Sequence, residues 1–135
     1  MRVQAVLVLL LVVLAAGCGA SEAPPPRVLV SWARSGGFAG RADSVIVHPQ
    51  GQVIARVRGG AARRSRLSSR RLATLRGLVR AAHLPREANL GGLSCCDQFS
   101  YVVATPGHRV TWSDGAKVPR RILRLEGALA ALAPR

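Results

Sequence analysis

Three segments of this 135-residue chain offer chemistry. The first is Ser35-Gly36-Gly37-Phe38-Ala39-Gly40. Glycines lack a Cβ, so another backbone can come close to them. Phe38, set between them, is a large apolar group that can fill a partner's pocket as an anchor. The plainer reading is a tight turn with Phe38 folded into the core. No helical pattern follows, so a phosphate cradle is not expected. The second segment is basic: Arg56, Arg58, Arg63, Arg64, Arg66, Arg70, Arg71, Arg76 and Arg80, with Arg63, Arg64, Arg66, Arg70 and Arg71 at its centre. It reads as a polyanion-binding face or as the solvated side of a loop and a helix. No aromatic is interleaved, so base stacking has no support and no nucleic-acid partner is expected. The third is Cys95-Cys96. A bond between neighbouring cysteines closes a strained, readily reduced ring. A vicinal disulfide, two free thiols and a bridge to another chain all remain open, and redox sensing would require exposure.

Catalytic signatures are missing from the sequence: there is no P-loop, CxxC, HExxH or GxSxG. His48, His83 and His108 lie by a turn, a helix end and a hairpin tip, without metal-ligand spacing. Each reads as a solvated histidine. The six acidic residues are scattered, with no pair placed for acid/base work. The expectation is a non-enzyme with no metal or cofactor site.

Regular elements must position these segments. Val28, Val30 and Trp32 alternate over Arg27 to Arg34, and Val45 and Val47 over Asp43 to His48. After the turn His48-Pro49-Gln50-Gly51, residues Val53, Ala55 and Val57 share a face of a run from Gln52 to Arg58. Ser68 and Ser69 are candidate N-caps for a helix carrying Leu72, Leu75, Leu78, Val79 and Ala82 on one face. It should end near His83, because Leu84 precedes Pro85. Phe99, Tyr101 and Val103 alternate, then Thr105-Pro106-Gly107-His108 suits a type II turn into Val110 and Trp112. Pro119 suits a first helical position, with Ile122, Leu125, Leu129 and Leu132 forming a stripe behind it. The predicted order is βββαββα, a single α+β domain with an antiparallel sheet packed by two helices.

Residues 1–17 read as an export signal: Met1-Arg2 is a short positive start, and Val3 to Ala16 is an apolar core too short to span a bilayer. Leu14-Ala15-Ala16-Gly17-Cys18 resembles the lipobox of bacterial lipoproteins, with Ala15 where Leu is usual. That resemblance implies cleavage after Gly17 and a lipid on Cys18, hence an exported chain held at the cell membrane or envelope. Residues 18–26 then form a Pro-rich tether, and residues 27–135 the domain. The chain is 49% hydrophobic, which excludes a disordered polypeptide. Its formal charge is +14, and all but one of its 20 basic residues are Arg, Lys117 being the exception. Such a charge favours anionic lipid or polyanionic wall polymer. One functional expectation is therefore a cell-envelope interaction module that uses its Arg-rich face.

The other expectation comes from likeness. The domain from Val28 to Leu132 resembles the emfourin (protealysin-inhibitor) family of small bacterial proteins. The resemblance rests on Ser35–Gly40 after the first strand, the amphipathic helix with its Leu84-Pro85 exit, and Asp97-Gln98-Phe99-Ser100-Tyr101 opening the late hairpin. Ser113-Asp114-Gly115 and Val118-Pro119, leading into the last helix, complete it. It implies inhibition of thermolysin-type zinc metallopeptidases, enzymes that favour bulky apolar residues just after the cleaved bond. Phe38 has that chemistry. The chain departs from the family in its export signal and in Ser94-Cys95-Cys96, inserted before Asp97.

Overall fold

The alternating runs become the strands of one sheet. The computed structural model describes residues 27–93 and 97–134. The signal segment 1–17, Cys18 with the tether 18–26, and Cys95-Cys96 lie outside the described residues. In chain order the elements are β1 (Val30–Gly36), β2 (Arg41–Val47), β3 (Gln52–Val57), β4 (Arg63–Arg66), α1 (Ser69–Ala82), β5 (Glu87–Asn89), β6 (Phe99–Thr105), β7 (His108–Ser113) and α2 (Arg120–Ala130). The sheet runs β4-β3-β2-β1-β6-β7-β5.

Two features correct the sequence reading. Among the described residues the sheet has seven strands, because β4 and β5 extend its two edges. It is also mixed, since β5 pairs parallel to β7 while the other neighbours are antiparallel. After α1 the chain lays down β5 at the edge, then crosses to β6 and returns through the β6–β7 hairpin, so that β7 fills the place between β6 and β5 and runs parallel to β5.

One face of the sheet is covered. Trp32 pairs with Val45 on one side and Val103 on the other, Val103 pairs with Val110, and all four are buried. Ile122, Leu125 and Leu129 of α2 are buried over this face, each contributing about 2 kcal/mol by leaving water. From α1, Leu75 and Ala82 are buried. Ser68 Oγ accepts from Arg71 N at 3.3 Å and caps α1. His83 ends that helix in the left-handed region, at φ 44°. Pro119 is the residue before α2 rather than its first, and no side chain caps that helix. On the other face Ser31, Ala33, Ser44, Val102 and Ala104 stay half-exposed. No helix among the described residues is long and apolar enough to cross a membrane.

The sheet has two unlike ends. The β1–β2 hairpin turns at one. At the other, here the base, Leu29 N donates to Val47 O, His48 Nδ1 lies 2.8 Å from Arg27 O, and Leu67 N donates to Gly51 O. His48 is therefore buried at 6% exposure, a correction to its reading as a solvated turn residue. Its ring closes the base beside the chain's arrival at Arg27. Helix α1 lies along this same base. It begins beside Gly51, whose neighbours include Leu72. It ends where Val79 and His83 border a surface pocket with Thr105 and His108 of the β6–β7 hairpin. Seven residues at about 3.3 Å each put roughly 20 Å between the two ends along β1.

Candidate functional site

Ser35–Gly40 forms the end of β1 and the β1–β2 turn, with Gly40 N donating to Gly37 O at 2.8 Å. Two glycines make this path possible. Gly36 has φ 116°, and a Cβ there would collide with the carbonyl of Gln98. Gly37 has φ 70°, and its Cβ would sit 2.8 Å from the Phe99 ring. Both conformations are strained for any residue with a side chain. The gain is close packing: Gly37 N donates to Gln98 O at 3.0 Å, locking the turn to the start of β6. On the opposite flank Arg58 Nη1 donates to Gly40 O at 2.6 Å. The turn is held on both sides, and Phe38 at its tip is 96% exposed. Of the two sequence readings, the inward core residue is the one the structure does not adopt. Ser35 and Ala39 are exposed beside it.

Beneath the turn lies a row of aromatic and charged groups on the covered face. Asp43, 3% exposed, takes a 2.5 Å ion pair from Arg34 Nη2 and a looser one from Arg41 Nε at 3.7 Å. The Arg34 guanidinium carbon sits 5.1 Å from the Phe99 ring centre and 5.7 Å from that of Trp32. Arg34 Nε is buried with no hydrogen-bond partner among the described residues. Trp32 Nε1 donates to Glu126 Oε1 at 3.2 Å, tying the sheet to α2. Burial holds the Glu126 carboxyl above its ordinary value, against the opposing pull of that hydrogen bond and of Arg34.

Tyr101 stacks on Trp112 at 5.3 Å and donates to Asp114 Oδ1 at 3.0 Å. Burial first, then that hydrogen bond, push its phenol from 10.0 to about 12. Asp114 Oδ2 also accepts from Phe99 N at 2.8 Å. One carboxylate thereby pins the strand whose first ring supports Gly37. Leu93, 63% exposed, is hooked to the same end by donating from its N to Asp114 O.

The segments singled out in the sequence fall in different places. Ser35–Gly40, Gln98–Tyr101 and Ser113–Gly115 converge at the hairpin end. Arg63, Arg64 and Arg66 lie on β4 and Arg70 and Arg71 in the first turn of α1, all exposed and away from that end. His83 and His108 are exposed. Sequence reasoning missed Arg34, Asp43, Arg58 and Leu93 as supports or neighbours of the turn. For Arg34 and Asp43 the available signal was opposite charge nine residues apart across a hairpin, which places them side by side once the register is set. Among the described residues no group of three or more His, Cys, Asp or Glu could hold a metal ion. What the arrangement offers is a projecting apolar group on a fixed backbone. No protein-family model matches the chain, and no curated protein matches it.

Proposed function

We propose that this chain is an exported lipoprotein, anchored through Cys18, whose domain inhibits or binds thermolysin-type metallopeptidases through the Ser35–Gly40 hairpin. One observation carries the reading: Phe38 stands 96% exposed at the tip of a turn clamped on both flanks. A phenyl ring left in water forgoes about 2 kcal/mol of burial. Here that ring is also held on a backbone with little freedom left to lose, so docking it costs less ordering than docking a loose loop. Its chemistry fits an apolar specificity pocket. Leu93 at the same end adds a second apolar contact. The reading needs no chemistry from the domain itself, only occupation of a peptidase cleft.

The test is an inhibition titration of the full chain and of Phe38→Ala against a panel of thermolysin-type enzymes. An anchor residue typically contributes 2 kcal/mol or more, so the variant should lose about 30-fold or more in affinity with its circular dichroism unchanged. If the folded chain inhibits none of the panel, the proposal fails. If Phe38→Ala inhibits as well as the parent, the contact is not this hairpin.

A further inference from the structure

Charge is distributed unevenly through this fold. From residue 44 to residue 86, which spans the end of β2, all of β3 and β4, and α1, there is no Asp or Glu. The same stretch holds ten arginines. Three of the six acids are engaged elsewhere: Asp43 pairs with Arg34, Asp114 bonds Phe99 and Tyr101, and Glu126 bonds Trp32. Among the described residues, no arginine of this stretch has an ion pair.

Position sharpens this. Helix α1 packs beside α2, buries Leu75 and Ala82, and turns Arg70, Arg71, Arg76 and Arg80 to solvent. It lies along the base, where Arg76 Nη2 donates to Pro49 O at 2.7 Å in the β2–β3 turn. That turn is also where Arg27 joins the domain, through His48. The exposed arginine face thus borders the point at which residues 1–26 hand over to the fold, and Phe38 projects from the opposite end.

We infer that the outer face of α1, continued by β4, is a docking surface for an anionic phospholipid bilayer. Several features favour a membrane. The arginines lie along the outside of a helix and an exposed edge strand, and the groove that Arg70 and Arg71 rim between α1 and α2 is otherwise lined mainly by Leu and Ala, without an opposing acid. No aromatic residue stands among them to grip a base or sugar. Juxtaposed arginines near an anionic surface each add attraction that fades within a Debye length, about 10 Å at 0.1 M salt. Docked by this face, the domain presents its hairpin outward. The inference stands independently of any peptidase target.

The test uses the full chain and sedimentation with two kinds of vesicle: phosphatidylcholine alone, and phosphatidylcholine mixed with phosphatidylglycerol. Any apolar contribution from residues 1–17 is common to both, so the ratio of the two partition coefficients reports the charged face. One variant is Arg70→Gln/Arg71→Gln/Arg80→Gln. The other, Arg41→Gln/Arg120→Gln/Arg124→Gln, removes the same charge from exposed positions elsewhere. At about fivefold per arginine at low salt, the α1 variant should lose at least tenfold of the preference for anionic vesicles, and the matched variant less than about threefold. Equal losses would mean that net charge alone is read, and would overturn the assignment. So would a parent chain that partitions equally into both vesicles, including one that binds a soluble poly(glycerol phosphate) instead.

Discussion

At the hairpin end, position is set by backbone. Gly36 and Gly37 take conformations strained for other residues, the Gln98 carbonyl and the Phe99 ring fill the space where side chains would be, and the group at the tip, Phe38, is apolar. At the α1 end, position is set loosely, by long side chains reaching into water from a helix whose first turn carries no acid. The first arrangement acts at contact distance and is indifferent to salt. The second acts over about a Debye length and weakens as salt rises. A small domain can therefore hold two recognition surfaces without mixing them: roughly 20 Å of sheet separates them, and shape governs one while charge governs the other.

The comparison breaks most sharply at Gly36. Gly36→Val drives a branched side chain into the Gln98 carbonyl at φ 116°. It should cost about 3 kcal/mol of stability, read as a lowered thermal midpoint, because β1–β6 pairing must part locally. A midpoint within experimental error of the parent would show that the turn is not backbone-defined. Next in size is the contrast within Phe38→Ala: about 30-fold weaker binding to a peptidase, against a stability change under about 0.5 kcal/mol for an exposed side chain.

A third prediction concerns the support beneath the turn. Tyr101 is the only tyrosine, so its ionisation can be followed directly by ultraviolet absorbance. In the folded state the midpoint should lie near 12. Because that value is raised above the unfolded 10.0, the contribution to stability is complete below pH 10 and is lost as pH climbs toward 12. Tyr101→Phe should remove this alkaline limb. A midpoint at 10 would mean that the phenol is neither buried against Trp112 nor held by Asp114. The smallest effect is a null one: raising salt from 0.1 to 0.5 M should leave peptidase inhibition within about twofold while releasing anionic vesicles.

Legibility in the sequence followed side-chain periodicity. Val45, Val47, Val53 and Ala55 alternate because one sheet face is covered, and the strands they mark are present. Leu75, Ala82, Ile122, Leu125 and Leu129 recur at helical spacing, and both helices are present. β4 was hidden because Arg63-Arg64-Ser65-Arg66 has no apolar residue; it is a strand only through its ladder to β3. β5 is three residues long and just as featureless. Burial of His48 depended on a contact with Arg27 O, twenty-one residues back, that no local pattern encodes. At the turn, the glycines could be read as a close approach of chains. That the approaching chain is Gln98-Phe99, and that Phe38 is consequently left outside, required the β1–β6 register.

The composition of β4 bears on how these domains behave when many share a surface. An outermost strand offers unpaired amide and carbonyl groups to any neighbouring strand, and a second copy is the most abundant neighbour. In β4 three of four residues are arginine and all four are exposed, so two copies brought edge to edge would set like charges against each other. The opposite edge, β5, is too short to template much pairing. Crowded molecules would then stay separate at their sheet edges, each free to turn its hairpin to whatever it meets.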